Sequence, residues 1–136
     1  MNRPTITFRR SGTFECHRIV LADQCGHAGA QFGQTEFSFR VEIEVDTLDE
    51  QGFVADNNAI PRAMGKWDDG KLWESSCERF AGGGVLAMKE LCPRAKRILV
   101  EVSPGPTAGA IVEWREGQML PDFAPILKNE PVEMYA

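Results

Sequence analysis

Several features that would point to a membrane, nucleic-acid or disulfide-rich protein are missing from this chain of 136 residues. No apolar run approaches the roughly 20 residues that a membrane-spanning helix needs, and the first ten residues hold no apolar stretch typical of a signal peptide. The formal net charge is −5, and no basic block is present to neutralise phosphates. We therefore expect a soluble, cytoplasmic protein that binds neither nucleic acid nor membrane.

The cysteine pattern also excludes a disulfide framework. The four cysteines are Cys16, Cys25, Cys77 and Cys92, and none of them forms a C-x-x-C pair. A chain of this length buries enough surface to fold without covalent staples. Reduced thiols in a cytoplasm are the simplest interpretation.

The clearest pattern that is present is an alternation of apolar and polar residues from Glu36 to Asp46, which predicts a strand with one buried face. An earlier extended region, over residues 6–20, is interrupted at Ser11-Gly12, which we interpret as a bulge or a turn. Two later alternations, over about residues 98–102 and 108–114, predict two more strands.

Two helices are predicted between these pairs of strands. Asp56 is a good N-cap for a short helix over about residues 57–66, and a longer helix extends over about residues 73–91. The glycine triplet at 82–84 is unusual inside the longer helix, because each glycine costs about 1 kcal/mol relative to alanine. Close packing on the sheet and a local break of the helix are the two explanations.

The order of these elements predicts an α+β domain over residues 1–116. Adjacent strand pairs favour antiparallel hairpins, which gives a four-stranded antiparallel sheet with both helices on one face. The remaining residues, 117–136, contain three prolines and several apolar side chains. We interpret them as an extension that packs on the domain or on a neighbouring subunit.

Several short strings in this order are distinctive: Cys16-His17-Arg18-Ile19, Gly52 to Asp56, Cys77-Glu78-Arg79-Phe80-Ala81 and Thr107-Ala108-Gly109. They resemble the A-H-R-L, G-x-x-x-D, x-E-x-L-A and T-A-G strings of the 6-pyruvoyl-tetrahydropterin synthase family, which includes the bacterial 6-carboxytetrahydropterin synthase. The resemblance covers about residues 6–115. It implies the T-fold, or tunnelling fold, in which subunits join edge to edge into an oligomeric barrel.

The resemblance weakens at the residues that carry the chemistry. The family holds zinc with three histidines, one on the first strand and two in an H-G-H string. His17 stands at the first position, but Thr35, Glu36 and Phe37 stand at the H-G-H positions. The chain therefore resembles a diverged member with a degenerate zinc site.

Seven residues remain as candidates for a site. The candidate catalytic groups are Cys25, in the loop that carries the family's cysteine, with Asp68 and Asp69 near the family's Asp-His pair. His17 and His27 are candidate metal ligands, and with Cys25 they could rebuild a zinc site. Glu101 and Thr107 are candidate ligand-binding residues; the family's pterin-anchoring Glu falls near Val102, so strand alternation turns Glu101 to the opposite face.

The alternative is that these groups are structural. Cys25 would then be a small buried residue, the histidines would lie at the surface, and Asp68-Asp69-Gly70 would form a turn. We favour this interpretation, which leaves the cofactor unknown and zinc disfavoured. Three functions stay open: a homo-oligomer that binds a pterin-like or purine-like heterocycle, an active lyase with a rebuilt zinc site, and a non-catalytic structural or interaction subunit.

Overall fold

The computed structural model describes residues 3–20 and 31–131, and the side chains of all of these except 18–20, 31–34 and 129–131. Cys25 and His27 lie outside the described residues. In chain order the elements are β1 (Ile6–Val20), β2 (Gln31–Val45), α1 (Ala59–Met64), β3 (Lys71–Glu74), α2 (Cys77–Leu91), β4 (Arg97–Gly105), β5 (Ala108–Arg115) and β6 (Ile126–Pro131). None of the described helices is long and apolar enough to cross a membrane.

The strands form one sheet in the order β5-β4-β2-β1-β3-β6. The four predicted strands are confirmed, and they lie side by side as an antiparallel unit at one end of this order. Two short strands that were not predicted extend the sheet beyond β1. β3 pairs in parallel with Arg18 and Ile19 of β1, and β6 pairs antiparallel to β3. The predicted α+β class is therefore correct.

One face of the sheet is covered by α1 and α2, as predicted, and the core lies between the helices and the strands. The alternating apolar side chains of β2 and β4 point into this core and are fully buried from Val41 to Val45 and from Ile98 to Val102. An aromatic cluster fills its centre, where the rings of Phe37 and Phe80 lie 4.9 Å apart. Among the described residues no helix covers the opposite face, which we call the helix-free face.

Three local predictions are wrong. The short helix begins at Ala59 and its N-cap is Asn58, whereas the Asp56 carboxylate accepts a hydrogen bond from the backbone N–H of Asn58. Ser11-Gly12 is neither a bulge nor a turn, because the pairing of β1 with β2 continues through it without a shift. A Cβ on Gly12 would lie 2.8 Å from the Phe39 ring, so glycine makes room for a core aromatic. The longer helix begins at Cys77 rather than near residue 73, because the Ser76 side chain accepts a hydrogen bond from the backbone N–H of Arg79 and caps it there.

The glycine triplet of α2 is explained by close packing on three different neighbours. A Cβ on Gly82 would lie 2.4 Å from the ring of Phe123, and one on Gly83 would lie 2.8 Å from Trp67. Only Gly84 faces the sheet, where a Cβ would lie 2.8 Å from the Val100 side chain. Two of the three glycines therefore make room for side chains that lie outside the sheet, and one makes room for the sheet itself.

The residues after β5 are tied to the domain at several points. The Arg79 guanidinium donates a hydrogen bond to the carbonyl oxygen of Ala124, at 3.1 Å. The Lys128 ammonium lies 2.8 Å from the carboxylate of Glu74, whose side chain is almost fully buried. The segment before β6 is thus tied to α2, and β6 itself is tied to its neighbour β3.

Candidate functional site

A cleft of about 550 Å³ opens on the helix-free face, where the middle of β1 and β2 meets the hairpin between β4 and β5. Its walls carry hydroxyl groups, one carboxylate, one guanidinium and an apolar side chain. These groups belong to Ser11, Ser38, Arg40, Glu101, Ser103, Thr107 and Ile111. A few convergent polar groups beside an apolar wall are typical of a small-molecule site.

The hairpin between β4 and β5 shapes one end of this cleft. The strand pairing shifts between Val102 and Gly105, and a Cβ on Gly109 would lie 2.6 Å from the Cβ of Ser103. A side chain at position 109 would therefore push the two strands apart. Thr107 is exposed in the turn between these two strands and borders the cleft. The T-A-G string therefore forms this end of the hairpin.

Glu101 lies on the face opposite to Val102, as strand alternation predicts, and it borders the cleft. Its neighbour Val102 is fully buried in the core, whereas the Glu101 side chain lies on the helix-free face. It is the cross-strand partner of Arg40 on β2, and the Arg40 Nε donates a hydrogen bond to its Oε1 at 3.1 Å. The two candidate ligand-binding residues, Glu101 and Thr107, are therefore brought to one cleft.

An extended network of ion pairs continues from Glu101 across the helix-free face. Arg40 also contacts Glu42, and Arg97 holds the other oxygen of Glu42 at 2.8 Å. Arg97 is only 15% exposed and lies within 4 Å of Glu113 as well. Glu42 and Arg97 are largely buried, so salt screens their ion pair less than it screens an exposed pair, and this pair holds Arg40 from one side.

His17 lies elsewhere, near the end of β1 that pairs with β3. It faces Gln34 across the β1–β2 ladder, while the preceding Cys16 is fully buried on the other face of the sheet. Of the residues at the H-G-H positions, Phe37 is buried in the core and Thr35 shares its side of β2, so only Glu36 shares the helix-free face with His17.

The described part of the chain does not supply a three-residue metal site at this place. No group of three His, Cys, Asp or Glu side chains that could hold a metal ion occurs among the described residues. The residues that stand at the family's ligand positions therefore do not fit a three-histidine zinc site. Cys25 and His27, which the rebuilt site requires, lie outside the described range.

Asp68 and Asp69 lie in the exposed turn before β3. The Asp69 carboxylate accepts hydrogen bonds from the backbone N–H of Lys71 and from the indole N–H of Trp73, both at 3.0 Å. These bonds give Asp69 a turn-stabilising role. β3 joins the sheet at the His17 end of β1, and Ser11 in the cleft is about 20 Å from His17 at the rise of a strand. Within one chain, the aspartates and Glu101 lie in different regions.

Sequence reasoning missed several residues of the cleft, namely Ser11, Ser38, Arg40 and Ser103. The polar positions of β2 were known to share one face, but their partners could be found only once β4 was placed next to β2. The sequence signal that could have found them is the spacing along each strand. Ser38 and Arg40 on β2 are two residues apart, as are Glu101 and Ser103 on β4, so the two members of each pair share one face of the sheet.

Comparison with solved structures gives a consistent answer about the fold. The 6-pyruvoyltetrahydropterin synthase of Plasmodium vivax matches with a TM-score of 0.61 at 12% identity, over 82% of this chain and 99% of that one. The Plasmodium falciparum synthase has a TM-score of 0.59 with the same identity and 98% of its chain covered. The Caenorhabditis elegans synthase has a TM-score of 0.53 at 12% identity, over 86% of this chain and 99% of that one.

No family model matches the sequence, and no curated protein sequence matches it. The likeness to the synthases is therefore one of three-dimensional structure. The chain has the α+β fold of these proteins, with an antiparallel sheet backed by two helices on one face.

Proposed function

We propose that this protein binds a flat, pterin-like or purine-like heterocycle in the cleft between β2, β4 and β5. The observation that carries this proposal is the convergence of Glu101, Arg40 and Thr107 on one cleft of about 550 Å³ in a fold shared with pterin synthases. A volume of this size is within the range of small-molecule sites.

The chemistry of the walls suits such a ring. Glu101 accepts hydrogen bonds from ring N–H groups, and the hydroxyls of Ser38, Ser103 and Thr107 can donate or accept at ring carbonyl and nitrogen atoms. Ile111, which is 55% exposed, offers an apolar surface for one face of the ring. Binding would thus combine apolar contact with a few directed polar bonds.

A titration of heterocycles tests the proposal. We expect pterin or guanine analogues to raise the melting temperature, and Glu101→Gln to weaken their binding about 10–100-fold, because a hydrogen bond to a charged group contributes about 1.5–3 kcal/mol. Glu116→Gln is the control: it removes an exposed carboxylate that lies outside both the cleft lining and the ion-pair network of Arg97. The absence of any shift with the whole panel would favour a non-catalytic structural or interaction subunit instead.

We further propose that the protein does not carry out the zinc-dependent lyase reaction of the synthases. This is supported by the burial of Phe37 and by the position of Glu36 as the nearest substitute for a histidine beside His17. Metal analysis of the purified protein tests it. A full equivalent of zinc, together with lyase activity that Cys25→Ala and His17→Ala abolish, would replace this proposal with the rebuilt-site enzyme.

Assembly into a homo-oligomer is part of the same proposal. In the described part of the chain, β5 and β6 are the terminal strands of the sheet, and each has a strand neighbour on one side. Exposed strand edges favour pairing with another chain, and a second copy can supply complementary edges. Light scattering at micromolar concentration should give a multiple of 15.1 kDa, and a mass near 15.1 kDa itself would contradict assembly.

A further inference from the structure

The carboxylate in the cleft does not stand alone. Arg40 and Glu101 are opposite each other in the β2–β4 ladder, and the Arg40 Nε donates to Glu101 Oε1 at 3.1 Å. Their side chains are 35% and 38% exposed, so the pair is open to a molecule in the cleft. Any ring that reaches Glu101 therefore meets the guanidinium at the same time.

Arg40 is held in this position from its other side. Its Nη1 donates to Glu42, and the second oxygen of Glu42 accepts from Arg97 at 2.8 Å. Glu42 and Arg97 are only 16% and 15% exposed, so this anchor is largely shielded from water. The two bonds use two of the five N–H donors of a guanidinium, which leaves donors for a ligand.

The hydrogen-bonding pattern of this pair differs from that of a lone carboxylate. A lone carboxylate presents two acceptor oxygens and matches two adjacent N–H groups, such as the amino group and ring N–H of a pterin or guanine. With Arg40 Nε donating to Oε1, the pair presents Oε2 as its fully free acceptor beside the free N–H donors of the guanidinium. That pattern matches a ring N–H next to a ring carbonyl, which is a ring amide.

We propose that Arg40 is a specificity-determining residue. It makes the cleft bind the ring-amide edge of a heterocycle instead of the two-donor edge that a lone carboxylate binds. This inference rests on the proposed function, since it concerns the same cleft. It widens the ligand class from 2-amino heterocycles to 2-oxo heterocycles, which have ring amides but no adjacent pair of donors.

The test compares two probes that differ in one group. Pterin carries both a two-donor edge and a ring-amide edge, whereas lumazine, its 2-oxo counterpart, carries only ring amides. Isothermal titration of the full chain should give dissociation constants for the two probes that agree within about three-fold. Arg40→Gln should bind pterin at least about ten-fold more tightly than lumazine, because a freed carboxylate rejects a ring that lacks the second donor.

The controls separate this inference from the proposed function. Arg115→Gln removes an exposed guanidinium on the same face outside the cleft, and it should leave the ratio of the two dissociation constants unchanged. Glu42 keeps its bond to Arg97 in the Arg40→Gln variant, so the strand pairing should persist. Arg40→Lys is a second variant; it lacks the planar fork and should shift the ratio in the same direction.

Each outcome has one meaning. If neither probe binds the wild-type chain, the proposed function fails. If both bind, but neither Arg40 variant changes the ratio of the two dissociation constants, the inference about Arg40 is overturned while the proposed function stands.

Discussion

Replacing Gly82 with alanine would place a methyl group where the chain after β5 crosses α2. On an open helix surface this change stabilises by up to about 1 kcal/mol, because alanine has the higher helix propensity. Here the new Cβ would lie 2.4 Å from two ring carbons of Phe123 and 2.7 Å from its carbonyl oxygen. Overpacking costs about 1–3 kcal/mol, so we expect Gly82→Ala to destabilise by about 1 kcal/mol net.

A double-mutant cycle with Phe123→Ala assigns this loss to the ring. Phe123→Ala removes the two nearest carbons and leaves the contact with the carbonyl oxygen of residue 123, in a segment that Arg79 holds through Ala124. Gly82→Ala should therefore cost less in that background than in the wild type, which gives a coupling energy of up to about 1 kcal/mol. The difference between Glu90→Gly and Glu90→Ala, at an exposed position of the same helix, gives the effect of helix propensity without the packing change.

The measurement is urea denaturation followed by circular dichroism, with thermal unfolding as a second readout. A loss of about 1 kcal/mol corresponds to roughly 3–5 °C in a domain of this size. The reasoning is refuted if Gly82→Ala stabilises the otherwise unchanged protein, because α2 would then have an open surface at this position and the chain after β5 would not be seated on it.

Two further predictions concern charged groups. Lys128→Gln should destabilise by about 1–2 kcal/mol, less than the loss for a fully buried pair, because Glu74 is 8% exposed but Lys128 is 37% exposed. Urea denaturation checks this against the exposed Lys71→Gln, and equal stabilities would contradict it. The pKa of Asp49 is lowered from 3.8, mainly because the backbone N–H of Phe53 donates to its carboxylate. The stabilisation from ionised Asp49 is therefore present above pH 3.8 and is lost as the pH falls through the lower folded pKa. The melting temperatures of the wild type and Asp49→Asn should consequently differ at neutral pH and converge in strong acid. A difference that does not change with pH would contradict this assignment.

Much of the fold could be predicted because its signals are local. The alternation on β2 and β4 marks strands and sorts their residues into a buried and a polar face, which the structure confirms from Val41 to Val45 and from Ile98 to Val102. β3 could not be predicted, because its four residues gain their strand conformation from partners on β1 and β6. A segment this short carries too little periodicity to be read alone.

Some residues of the candidate site could likewise be predicted from the sequence, and others could not. Thr107 was a candidate because of the T-A-G string, and Glu101 because the family's pterin-anchoring Glu falls near Val102; the cleft contains both. Arg40 was overlooked because its partner Glu101 lies 61 residues further along the chain. The roles proposed for His17, Asp68 and Asp69 remain predictions, and the structure places these residues away from the cleft.

The sequence by itself determined four of the strands, the two helices and the two-faced sheet, since each of these depends on residue type and on spacing within a few residues. Only the tertiary structure decided that Arg40 meets Glu101 and that the glycines of α2 receive Phe123 and Trp67. The physical reason is that such contacts depend on which strands are neighbours and how closely segments approach. Many partners distant in the chain satisfy the same local pattern, and packing selects among them.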